Sequence, residues 1–152
     1  MKSKTDCKKF PIGCYIDGAN QNQTEADARL VRLAESFGMV LTREQLAFCQ
    51  RVESDCAKEN DYEFSNDFAI EAETYLNETE PRAFLYWSWE NGDFGLWPNI
   101  GAAKEDCEFV SSQKQETPAN NFVGNWLHIN DHGNVTLYYR ENGIDSEVWS
   151  VV

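Results

Sequence analysis

From residue 24 to residue 76 apolar side chains return every three or four positions, and from residue 83 onward they alternate or crowd into short runs. The first pattern is that of amphipathic helices, the second that of strands in hairpins. Ala26, Leu30, Leu33, Ala34 and Phe37 mark a first helix, with Thr24 as its N-cap, Asp27 as a weak capping-box partner and Gly38 where a left-handed glycine ends helices. Thr42 and Gln45 form a better capping box for a second helix, and Leu41 and Leu46 are placed as its hydrophobic staple. Leu46, Cys49, Val52 and Cys56 are its expected core face, and it ends by Asn60. Ser65 is placed to cap a third helix that runs to Leu76 on the apolar face Phe68, Ala69, Ala72, Tyr75 and Leu76. Pro81 forbids its continuation.

The aromatic stretch from Ala83 to Pro98 surrounds Asn91-Gly92, the dipeptide that most readily supplies the two left-handed residues of a type I′ turn. It predicts paired strands over 83–90 and 93–97, with Leu85, Trp87 and Trp89 on one face and Phe84, Tyr86 and Ser88 on the other. A helical turn fits 99–106, a short strand 107–111 and a loop 112–121. Runs at 123–129, 135–140 and 144–152, joined by a Gly133 turn and a second Asn-Gly at 142–143, predict a three-stranded meander. Lys2 to Lys9 is polar without periodicity and reads as a frayed start, while Phe10 to Ile16, with Pro11 near its beginning, suits an edge strand. Helices first and strands afterwards predict an α+β fold: about three N-terminal helices packed on a mainly antiparallel β-sheet built from C-terminal hairpins. The 152 residues fit a single domain spanning 1–152.

Charge changes this picture more than composition does. The chain carries a formal charge of −13, and 15 acids against the three bases Lys58, Arg82 and Lys104 place −12 of it between Glu53 and Glu108. A field of that sign repels phosphate backbones and excludes direct nucleic-acid binding as the expected function, while it attracts a basic protein. No run is long enough to span a membrane, and no apolar segment follows the lysine-rich start as it would in an export signal. The expected compartment is therefore cytoplasmic, and the five cysteines Cys7, Cys14, Cys49, Cys56 and Cys107, an odd count, are expected as free thiols. Two of their spacings hold six residues between thiols, wider than zinc sites use. In such a compartment the sequons at Asn22, Asn77 and Asn134 are chance matches.

Candidate chemistry is sparse. Asp17 follows an apolar strand, where some nucleases hold magnesium, yet Asp17-Gly18 more simply forms a turn. His128 and His132 flank a strand end and a turn, where a three-residue gap does not converge on a metal. No phosphate-binding glycine loop, nucleophile elbow or zinc-protease motif occurs. The expected function is thus an acidic protein-binding module, an inhibitor or interaction domain, in its sharper form one that imitates nucleic-acid charge to occupy a basic groove. Its contact residues would be Trp87, Trp89, Asp93 and Trp97 on the hairpin with Glu71 and Glu73 on the preceding helix, since aromatic and charged side chains dominate interfaces. No cofactor, metal or membrane is expected, and an exposed edge at 10–16 would allow a homo-oligomer. The alternative is a small hydrolase-like enzyme that uses Asp17, His128, His132 or a free cysteine in a cleft.

Overall fold

A computed structural model describes residues 10–19, 21–112 and 116–152. The lysine-rich start with Cys7, and the middle of the 112–121 loop, lie outside the described residues. The elements in chain order are β1 (Gly13–Ile16), α1 (Gln23–Ser36), α2 (Arg43–Glu53), α3 (Glu59–Thr79), β2 (Leu85–Glu90), β3 (Asp93–Pro98), α4 (Ile100–Asp106), β4 (Phe109–Ser112), β5 (Gly124–Ile129), β6 (Val135–Glu141) and β7 (Ile144–Val151). The fold is α+β, with helices mainly N-terminal, strands mainly C-terminal and sheets that are mostly antiparallel. It holds two sheets, β1-β3-β2 and β4-β5-β6-β7, so the two Asn-Gly hairpins belong to separate sheets and not to one. The described chain also falls into two compact units, one of Gly13–Pro81 and Trp87–Leu96, the other of Arg82–Tyr86 and Trp97–Val152 with the residues up to Ile12.

In the first unit α1 starts from a capping box of Asn22 with Glu25, not of Thr24 with Asp27. Asparagine caps as well as threonine does, and both Thr24 and Asp27 are needed inside, where they are buried. Gly38 follows the helix with φ 107°, as its position predicted. The Thr42–Gln45 box opens α2 as expected. That helix, however, ends at Glu53, and Asp55 with φ 58° turns the chain. Its buried side is Gln45, Phe48 and Cys49, while Leu46 and Cys56 are exposed, so the expected core face is rotated by about one position. The helix α3 begins six residues before Ser65, because Asp61 does the capping: its carboxylate accepts the Lys58 N–H at 2.8 Å and a fork from Arg51 at 2.9 and 2.5 Å. Ser65 instead lies in the buried stripe with Ala69, Ala72 and Leu76.

The predicted hairpin forms, and Asn91 and Gly92 take φ 51° and 89°, the signs a type I′ turn requires. Strand β1 pairs antiparallel with β3 and forms one edge of the three-stranded sheet, as the sequence predicts for 10–16. The other edge, β2, is blunted by α3. The Asn77 side chain accepts the Trp87 N–H at 2.8 Å and donates to the Trp87 carbonyl at 2.9 Å, replacing a missing neighbour strand. A side chain so engaged explains Asn77 without recourse to its sequon.

In the second unit β5, β6 and β7 form the predicted meander, closed by Asn142 and Gly143 at φ 53° and 73°. The short strand near 107–111 is present as β4 but runs parallel to β5. One face of this sheet buries Leu127, Val135, Leu137 and Trp149 with Ala103 of α4. On the other, Trp126 stacks on Tyr138 at 4.9 Å, and Arg140 forks onto Asp145 at 2.7 and 2.6 Å. Arg140 also donates to the Pro118 carbonyl, and the Trp126 indole N–H to Asp145 at 3.0 Å, so one ion pair ties a loop and an indole to the sheet.

Three arginine-bound carboxylates set an acid limit. Hydrogen bonds from Arg51, Arg140 and Arg32 hold Asp61, Asp145 and Glu53 respectively below their ordinary values. A depressed folded value means that the contribution is complete above the unfolded carboxylate range, near pH 4, and is lost as pH falls through the lower folded values. Thermal melting should therefore change little from neutrality to about pH 5 on this ground and fall steeply below about pH 4. Asp145→Asn should lower melting at neutral pH and shrink the acid-dependent part. A variant with unchanged acid dependence would remove Asp145 from this role.

Candidate functional site

The hairpin residues expected to contact a partner are mostly engaged inside the fold. Trp87 is 2% exposed, and its ring meets Tyr15 at 4.9 Å, Phe37 at 5.2 Å and Phe94 at 6.0 Å. It is a core residue. Trp89 is half-buried against Phe94, with centroids 5.4 Å apart. The Asp93 carboxylate accepts the Gly18 N–H at 3.2 Å and so holds the loop after β1. Trp97, half-buried, belongs to the other unit. Glu73 is half-buried on α3, where burial raises its carboxyl above the ordinary value, and Glu71 is exposed and accepts from the Gln45 amide at 2.6 Å.

The exposed face of α3 is a more coherent surface. Its core side is set by Asp61, Ser65, Ala69, Ala72 and Leu76. At 100° per residue, positions 59, 63, 67 and 71 fall on the opposite half of the helix, each one turn beyond the last. Glu59, Glu63, Asp67 and Glu71 occupy them, all exposed, and Glu78 continues the line two turns on. A four-residue step is about 6 Å of rise, so the row runs along nearly the whole helix. None of these five carboxylates forms an ion pair among the described residues. The row could have been found in the sequence by spacing alone, had the helix been started at Glu59 and not at Ser65.

Charge is concentrated in the same unit. Of the 15 acids between Glu53 and Glu108, 12 belong to the first unit and three, Glu105, Asp106 and Glu108, to the second. Neutralisation is local: Arg32 forks onto Glu53 at 2.6 and 3.0 Å and reaches Glu35 at 2.8 Å, and Arg51 is taken by Asp61. A surface of carboxylates without cationic partners accepts hydrogen bonds and attracts cations.

The residues of the enzymatic alternative divide between the two units. Asp17 accepts the Ala19 N–H at 2.8 Å, the short-range turn that Asp-Gly predicted. It lines an open cleft of about 870 Å³ with Tyr15, Glu25, Arg29, Arg32 and Glu53. His128 and His132 belong to the other unit. The His132 side chain is 82% exposed beside Asp131 at 3.6 Å, while His128 lies on β5 with its ring 6.3 Å from Trp126. Cys49, next to that cleft in sequence, is fully buried, and burial pushes its thiol up to about 11, which keeps it protonated and unreactive. Cys14, Cys56 and Cys107 are also free thiols. Among the described residues no three His, Cys, Asp or Glu side chains gather as a metal site, and no helix is long and apolar enough to cross a membrane.

Comparison with protein-family models, with curated proteins and with solved structures found no match to this chain.

Proposed function

We propose that the protein acts by binding a positively charged surface of another protein, with the exposed face of α3 as its contact. The observation that carries this reading is the row Glu59, Glu63, Asp67 and Glu71, exposed, regularly spaced on one side of α3 and without a cationic partner among the described residues. Like charges one turn apart cost a helix about 0.2–0.5 kcal/mol per pair; Glu59 in the first turn and Glu71 on the Gln45 amide have local compensation, while Glu63 and Asp67 gain no such partner among the described residues. A basic partner turns that cost into attraction and, through steering, into fast association. In its sharper form the partner is a nucleic-acid-binding protein, whose groove already accepts a line of negative charge. A single strand of duplex DNA presents a phosphate about every 3.4 Å along the axis, so the row copies the sign and the linearity at roughly half the density.

The test is affinity capture on immobilised protein from lysate at low salt, with release by added salt and, separately, by duplex DNA. Specific basic proteins should be retained, released by both, and lost when Glu59, Glu63, Asp67 and Glu71 are changed together to Gln, Gln, Asn and Gln. At about 0.2–1 kcal/mol per exposed charge, the four changes should weaken binding roughly tenfold or more. Retention of the same proteins by the neutralised variant would contradict the proposal.

A further inference from the structure

Between α2 and α3 runs an open groove of about 590 Å³ whose floor is Ala47, Phe64 and Phe68 and whose rim carries Glu44, Asp67 and Glu71. Phe68 is supported from beneath by Phe48, ring centroids 5.5 Å apart, so this floor is continuous with the core. Phe64 is 48% exposed although nothing in a solvated helix face calls for a phenyl ring there. Of the two cations lining the groove, Arg51 is spent on Asp61, which leaves Arg43 beside the three carboxylates, of which Glu71 also accepts from the Gln45 amide.

We propose that this groove receives a short amphipathic basic segment of the partner, a bulky apolar side chain seated on Phe64 and Phe68 and lysine or arginine side chains meeting Glu44, Asp67 and Glu71. The inference rests on the proposed binding of a basic protein and adds where the partner anchors and what it must carry. Charge selects the occupant. Another copy of this chain, at −13, would bring acid against the acidic rim, whereas a basic helix offers apolar residues at i, i+3, i+4 and i+7 with cations between them. Asp67 and Glu71 are shared by rim and row, so a segment lying in the groove also lies beside the carboxylate line. Charge alone would give loose, register-free association; an apolar anchor in a pocket fixes the register.

Two labelled synthetic peptides test this by fluorescence anisotropy: a lysine/leucine helix with leucines at i, i+3, i+4 and i+7, and its counterpart of equal charge with every leucine replaced by serine. The leucine peptide should bind roughly tenfold or more tightly, as expected for one buried apolar anchor. In Phe64→Ala that preference should shrink to about threefold or less, with serine-peptide binding unchanged. Ala47→Gln, which fills the floor from a half-buried position, should do the same. Glu44→Gln with Asp67→Asn should weaken both peptides. Equal binding of the two peptides to the wild type, or a leucine preference that survives both Phe64→Ala and Ala47→Gln, would overturn the groove while leaving the acidic-surface reading intact. Absence of binding by either peptide at low salt would overturn both.

Discussion

Trp87→Ala should cost about 3–5 kcal/mol of folding free energy, the range for deleting a buried aromatic ring. The indole is 2% exposed and lies against the rings of Tyr15, Phe37 and Phe94, so its removal empties the centre of an aromatic cluster that joins strands β1, β2 and β3 to the end of α1. Its backbone is fixed as well, both polar groups being bound by Asn77, and the surroundings therefore cannot collapse freely into the space. Against a typical total of about 5–15 kcal/mol the loss is large, and melting should fall by roughly 6–20 °C. Trp87→Phe should recover part of it. A Trp87→Ala protein that melts within about 2 °C of the wild type would mean that the indole is not central to the core.

Gly18→Ala should be nearly as damaging, for a different reason. A Cβ on Gly18 would stand 1.8 Å from the Gly92 carbonyl oxygen and 3.0 Å from its carbon. Both are backbone atoms, so no rotamer relieves the overlap. The loop after β1 must lift from the hairpin turn and give up the bond from the Gly18 N–H to Asp93. Overpacking that side chains can absorb costs about 1–3 kcal/mol; this change belongs at the upper end or beyond it. Gly92→Ala is the control. Gly92 has φ 89° and open space where its Cβ would go, so its penalty is conformational, about 1–2 kcal/mol. Equal effects of the two substitutions, measured by urea unfolding, would show that close approach is not what position 18 requires.

These two positions mark how far the sequence could be read. Periodicity located all the larger elements, because three helices and two Asn-Gly hairpins each satisfy a local rule. The division into two sheets was not legible, since nothing local says which strands a hairpin will join, and four residues of β4 are too few for alternation to reveal a parallel partner. Helix starts failed where a side chain has two uses. Thr24 and Ser65 look like caps but are buried, and the capping falls to Asn22 and to Asp61, the latter recruited by Arg51 ten residues away. Asp17-Gly18 was rightly read as a turn, yet the need for glycine comes from Gly92, far along the chain.

The candidate site was legible as charge and not as geometry. Composition alone singled out 53–108 as acidic, and Glu71 in the expected contact set does lie on the row. Trp87 and Asp93 enter that set because aromatic and acidic residues mark interfaces, but the same chemistry also builds cores and fixes loops, as the ring of Trp87 and the carboxylate of Asp93 do here. What charge counting lacks is direction, and direction required knowing that α3 begins at Glu59.

The proposal that carboxylates on the exposed side of α3 bind a cationic protein surface makes salt the decisive variable. Its most direct measurement is the salt dependence of affinity for a labelled lysine-rich peptide between about 0.05 and 0.2 M salt, wild type beside the variant neutral at 59, 63, 67 and 71. Affinity should fall steeply with salt for the wild type, and the variant should bind more weakly with a flatter dependence. Equal affinities and equal slopes for the two proteins would contradict it.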